Sequence, residues 1–149
     1  MGAKLARVMT ASDFEMIERQ LGIQLPSAYR QKVVPFPIPC LAGNRDTELW
    51  DHAEALVRYN SQLRTRKEPP PWPNYLFVIG QNEGDPAVRA IDLRVPDTSP
   101  VWWVDHADPS AAGSGQTHSR FEQWADQYVA AVRRDLARDG HDPDSSPAA

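Results

Sequence analysis

W-P-N-Y-L-F-V-I-G-Q-N-E-G-D-P-A-V-R-A-I-D-L-R-V-P-D-T-S-P-V-W-W-V-D-H, residues 72–106, is the stretch on which the fold turns. It holds three apolar runs, at 75–79, 88–93 and 101–104, each of strand length and rich in β-branched and aromatic residues. The breaks between them, Gly80-Gln81-Asn82-Glu83-Gly84-Asp85-Pro86 and Pro96-Asp97-Thr98-Ser99-Pro100, are turn chemistry. Both are too short for helical crossovers, so the three strands are expected to pair antiparallel.

On either side the periodicity turns helical. Ser12 and Glu15 have capping-box spacing, Phe14, Ile17 and Leu21 follow on one face, and Gly22 is a stop. Pro26 suits the first turn of a second helix that carries Tyr29 and Val33, and Pro35, Pro37 and Pro39 prevent its continuation. Residues 47–50 read as a short strand. Asp51 and Glu54 suggest another capping box, ahead of a helix with Leu56, Tyr59 and Leu63 on one face. Beyond the strands, residues 107–117 read as a small-residue loop. Ser119 and Glu122 then cap a long helix striped by Phe121, Trp124, Tyr128, Val132 and Leu136, with Gly140 as its stop. The expected fold is α+β: a mostly antiparallel sheet with N-terminal helices and a long C-terminal helix packed against it. Residues 1–9 are expected to be a flexible arm, 10–139 a single domain and 140–149 a disordered acidic tail.

Composition narrows the function classes. Apolar content of 41% and charge of 24% are ordinary for a globular protein. A single cysteine, Cys40, excludes an intrachain disulfide and a Cys-rich zinc site. The N-terminus does not read as a signal peptide, and no apolar run approaches the ~20 residues that span a bilayer, so a cytoplasmic protein without membrane contact is expected. Net charge is −4, and the acid is uneven. Residues 69–110 hold only Arg89 and Arg94 against Glu83, Asp85, Asp92, Asp97, Asp105 and Asp108. This argues against direct nucleic-acid binding and suits a basic protein partner.

The catalytic signals are thin. Asp105, His106, Asp108 and His118 have the donor types of a metal or acid–base site, but their spacing matches no ligand motif, and a strand-end Asp-His pair is ordinary turn chemistry. Residues 80–85 follow a strand and contain two glycines. They lack the Gly-Lys-Ser/Thr ending and the following helix of a phosphate loop, so glycines at positive φ are expected instead. Cys40, with His52 or His106 as base, has no nucleophile signature around it. Trp102 and Trp103 are adjacent and must face opposite sides of a strand, so one is expected in the core and the other is free to anchor an interface. No catalytic residue, metal or cofactor is expected.

The order of these motifs resembles the SUKH superfamily (the SMI1/KNR4 family). Leu25, Pro26 and Tyr29 match its helix-pair motif, and Ile79, Gly80, Gly84, Asp85, Ile91, Asp92 and Leu93 its hairpin. Pro100, Val101, Asp105, His106, Ser119 and Phe121 match its later strand and helix. The resemblance spans about residues 14–135. Many members carry a Gly-Gly loop after the second helix, where this chain has P-F-P-I-P-C-L-A-G-N. The resemblance implies a non-enzymatic immunity protein that binds and neutralises a cognate bacterial toxin, often a nuclease. The expected toxin contacts are Glu83, Asp85, Asp105 and Asp108, with Trp102 or Trp103 as apolar anchor. A scaffold or regulatory module without a toxin is the alternative, and a metal-dependent hydrolase using Asp105, His106 and His118 a more distant one. Asp85 and Asp92 can equally serve the fold by bonding nearby backbone.

Overall fold

The computed structural model describes residues 9–146. Its elements are helices α1 (Ala11–Leu21), α2 (Ser27–Val33) and α3 (Ala53–Arg64), strands β1 (Leu76–Gly80), β2 (Ala87–Asp92), β3 (Val101–Asp105) and β4 (Ser114–His118), and helix α4 (Phe121–Arg138). The four strands form one antiparallel sheet in the order β1-β2-β3-β4. This is the expected α+β architecture, with the long C-terminal helix packed against the sheet.

Strand alternation gives the sheet two apolar faces. Phe77, Ile79, Ile91 and Val101 enter the larger core with α1, α2 and α4. Its centre is Tyr29, whose ring makes edge contacts with Phe14, Phe77 and Phe121 at centroid distances of 5.8, 5.6 and 5.7 Å. One aromatic thus ties α1, α2, β1 and α4 together. Leu76, Val78, Val88, Ala90 and Val104 face the other way, onto Leu63 and Trp72.

Helix starts differ from the expected caps, each for a local reason. Thr10, not Ser12, caps α1, because the Asp13 carboxylate accepts the Thr10 N–H at 2.8 Å. T-A-S-D and S-D-F-E overlap, and both have the capping spacing. His52, not Asp51, caps α3: its Nδ1 accepts the Ala55 N–H at 3.1 Å. Asp51 is fully buried, and its Oδ1 accepts the Met9 N–H at 3.3 Å. Met9, assigned to the arm, is itself buried, and residues 1–8 of that arm lie outside the described residues. No Ser119 box forms at α4, where the Phe121 N–H donates to the Thr98 carbonyl at 2.8 Å.

Two strand assignments change. Residues 47–50 form a single bridge, Thr47 to Gln81, rather than a strand. Residues 114–118, expected within a loop, form β4. Ser, Gly, Gln, Thr and His carry no apolar alternation, so only pairing with β3 fixes them as a strand. Of the expected tail, residues 140–145 make defined contacts: the Pro143 carbonyl accepts the Cys40 N–H at 3.1 Å, and Asp144 pairs with Arg133 at 2.8 Å. Residues 147–149 lie outside the described residues.

Candidate functional site

Antiparallel pairing puts the end of β1, the start of β2 and the end of β3 at one end of the sheet. Ala87 lies opposite Asp105, and the His106 N–H donates to the Pro86 carbonyl at 3.1 Å. Glu83, Asp85, Asp105 and Asp108, separate in sequence, therefore share one rim. Three of them build turns by one device, a carboxylate that accepts the backbone N–H two residues on. Asp85 Oδ1 takes the Ala87 N–H at 2.9 Å, and Asp105 Oδ1 the Ala107 N–H at 2.9 Å. Asp108 Oδ1 takes both the Ser110 N–H at 3.3 Å and the Ser110 hydroxyl at 2.6 Å. In each, Oδ2 has no partner among the described residues. Each of the three aspartates thus serves the fold and keeps one oxygen for an incoming donor. The Glu83 side chain is exposed and makes no bond among the described residues.

Asp92 uses the same device but stays inside. Its Oδ1 accepts the Arg94 N–H at 2.9 Å, and the carboxylate pairs with the Arg94 guanidinium at 2.7 Å. Burial alone would push this carboxyl up, but the Arg94 bonds outweigh it and hold it below the usual range. Arg94 is in turn braced 3.6 Å over the Tyr75 ring.

Glu83 also borders a cleft of about 550 Å³ between α3 and the turns at 44–46 and 81–84. Trp50, Tyr59 and Gln81 line it, with Arg45 and Arg58 beside Asp46 and Glu83. Neither guanidinium bonds another described residue, so this end of the sheet carries both signs of charge rather than acid alone. Sequence reasoning missed the cleft. The available signal was Arg58 and Gln62, one helical turn apart on the side of α3 away from its apolar stripe. His52 lies close by. Burial, helped by the Arg45 guanidinium, keeps its imidazole below the ordinary pKa, which suits its role as a neutral cap acceptor.

The tryptophans divide as their adjacency requires. Trp102 is half-buried against the smaller core, and its indole N–H has no partner among the described residues. Trp103 is 37% exposed, and its indole lies over Gly115. A Cβ at Gly115 would stand 2.9 Å from Trp103 Nε1, so the glycine makes the close approach possible.

The hydrolase constellation does not assemble. His118 pairs with Val101 at the far end of β3, four residues or about 13 Å along the strand from Asp105. Its ring bonds Gln127 and Thr117, while His106 Nδ1 meets Tyr59 Oη at 3.3 Å. Among the described residues no group of three His, Cys, Asp or Glu side chains converges as metal ligands do. Cys40 is half-buried in a 3-10 turn, and neither His52 nor His106 bonds it. Within the glycine-bearing turn, only Gly84 takes positive φ, at 81°. Gly80 serves close approach instead, since a Cβ there would stand 2.4 Å from the Glu48 carbonyl carbon and oxygen. No helix among the described residues is long and apolar enough to cross a membrane. No protein-family model matches the chain, and no curated protein matches it.

Proposed function

We propose that this chain is a non-enzymatic binding protein that neutralises a basic protein toxin by direct contact, an immunity protein of the kind its SMI1/KNR4-like motifs imply. One observation carries the reading: the convergence of Glu83, Asp85, Asp105 and Asp108 on one end of the sheet, joined through the His106–Pro86 bond. At the three aspartates a partner's lysines and arginines meet carboxylate oxygens already held by turns, so little side-chain entropy is lost on docking there. Arg45 and Arg58, which share the cleft with Glu83, make the surface two-signed. Such a pattern sets docking register and disfavours wrong partners more than it adds raw affinity. Trp103 supplies an exposed aromatic on the neighbouring sheet face.

The test is to co-express the chain with the product of the adjacent gene, score rescue of growth, and measure binding of the purified pair. Glu83→Lys, Asp105→Asn and Asp108→Asn together change the charge but keep the turn-building acceptors. At about 0.5–1 kcal/mol for each exposed pair, the triple variant should bind at least about tenfold more weakly. Raising salt should slow association of the native chain. Undiminished protection by the triple variant would remove the acidic end from the mechanism, and a neighbouring gene product that is neither toxic nor bound would favour a regulatory module.

A further inference from the structure

The sheet has two edges, and among the described residues only one is closed. The Asp92 N–H donates to the Pro100 carbonyl at 2.9 Å, so these residues are a bonded pair of β2 and β3. Alternation along the ladder makes Ala90 and Trp102 the next bonded pair, which turns the Trp103 backbone toward β4. Trp103 is opposite Gly115, so the Gly115 N–H and carbonyl point inward. The N–H and carbonyl groups of Ser114 and Gln116 therefore point out of the sheet, and none of them meets a partner among the described residues. Gln116 and Thr117 are exposed. A bulge at Thr117 ends the regular edge.

We propose that the β4 edge accepts an added strand, and that the strand is an extended basic segment of the protein partner. This rests on the reading of the chain as a binder of a basic protein. Three features point to that occupant. The open edge offers two donors and two acceptors in strand register, the arrangement that strand addition uses. The Trp103 indole covers Gly115, so the next strand position outward on that face meets the indole, and a lysine or arginine there gains a cation–π contact. The Ser114 end of β4 adjoins the acidic rim, because the Ser114 hydroxyl bonds the Ser110 carbonyl at 2.8 Å, directly after the Asp108 turn. A second copy of the chain would present Ser114–His118, which contains no lysine or arginine to meet that rim.

The probe is an acetylated, amidated peptide, Thr-Lys-Val-Lys-Val-Lys-Thr, with a glutamate-for-lysine counterpart as control. Residue-resolved amide exchange and tryptophan fluorescence read its binding to the full chain. The basic peptide should slow exchange at Ser114 and Gln116 by at least about threefold, and the acidic one should not. Gln116→Pro removes one of the two outward donors and leaves the inner ladder intact, so it should abolish the protection at Ser114. Trp103→Ala, which touches no backbone bond, should weaken the peptide about fivefold. No slowing by the basic peptide, or equal binding by Gln116→Pro, overturns the proposal. Concentration-dependent protection without peptide, lost in Gln116→Pro, also overturns it by assigning the edge to a second copy. If the charge-altered triple variant loses the peptide while Gln116→Pro keeps it, strand addition falls and the acidic-end reading stands. If neither substitution matters, both fall.

Discussion

The outer edge of β1 and the outer edge of β4 pose the same physical problem, a row of unpaired backbone groups, and the chain treats them differently. On β1 every outward group has an answer. Asn60 on α3 donates to the Val78 carbonyl at 3.0 Å and accepts the Val78 N–H at 2.8 Å. Arg64 and the Trp72 indole donate to the Leu76 carbonyl at 3.3 and 2.9 Å. Beyond these, the Trp50 N–H meets the Ile79 carbonyl at 2.8 Å, and the Gln81 N–H meets the Thr47 carbonyl at 3.0 Å. On β4 the outward groups of Ser114 and Gln116 have no such cover among the described residues. The closed edge is buried in a core, where an unpaired amide costs most. The open edge is at the surface, beside an exposed indole and an acidic rim, where pairing can be supplied from outside.

The sharpest way to break this contrast is to open the closed edge. Asn60→Leu leaves both Val78 backbone groups and their burial in place without partners. The expected loss is about 3 kcal/mol of unfolding free energy in urea titration, and a loss under about 1 kcal/mol would show that the amide is not what seals β1. Gly80→Ala drives a Cβ into the Glu48 backbone, so the 47–50 segment must lift from β1, at about 2 kcal/mol by the same titration.

Asp51, next along that covering segment, gives a pH-dependent version. Burial raises its pKa to about 6, above the usual carboxylate range, so the folded chain takes up its proton before the unfolded chain does. Stability should therefore rise as pH falls from about 7 to about 4 and level off below, where the unfolded carboxyl is protonated too. Asp51→Asn keeps an acceptor for the Met9 N–H and removes the charge. Thermal melts should show a gain of about 1 kcal/mol at pH 8 and almost none at pH 4. The smallest effect belongs to the open edge: Gln116→Pro should change stability by less than about 0.5 kcal/mol, because the N–H it removes bonds nothing in the sheet.

The asymmetry between the edges also explains what the sequence disclosed. The first three strands were legible because Leu76–Gly80, Ala87–Asp92 and Val101–Asp105 carry apolar, β-branched residues between turn signals. The aromatic stripe of α4 and the stops at Gly22 and Gly140 were legible from period and punctuation. β4 was not, because its residues look like a loop and only the β3 ladder makes them a strand. The caps of α1 and α3 were misplaced because a tertiary contact, Met9 on Asp51, or an overlapping motif, T-A-S-D, decided between equivalent local patterns. The acidic residues of the rim were visible singly, but their convergence depends on strand register. Arg58 and Gln62 mark only the helical wall of the cleft, and the fold alone brings the 81–84 turn against it.

Amide hydrogen exchange of the free chain at single-residue resolution tests the two-edge account most directly. The Val78 and Gln81 amides, closed by Asn60 and Thr47, should exchange as slowly as the core. The Ser114 and Gln116 amides should exchange close to the rate of exposed backbone while Gly115 between them stays protected. Uniform protection along β4 in dilute protein, or fast exchange at Val78, would contradict it.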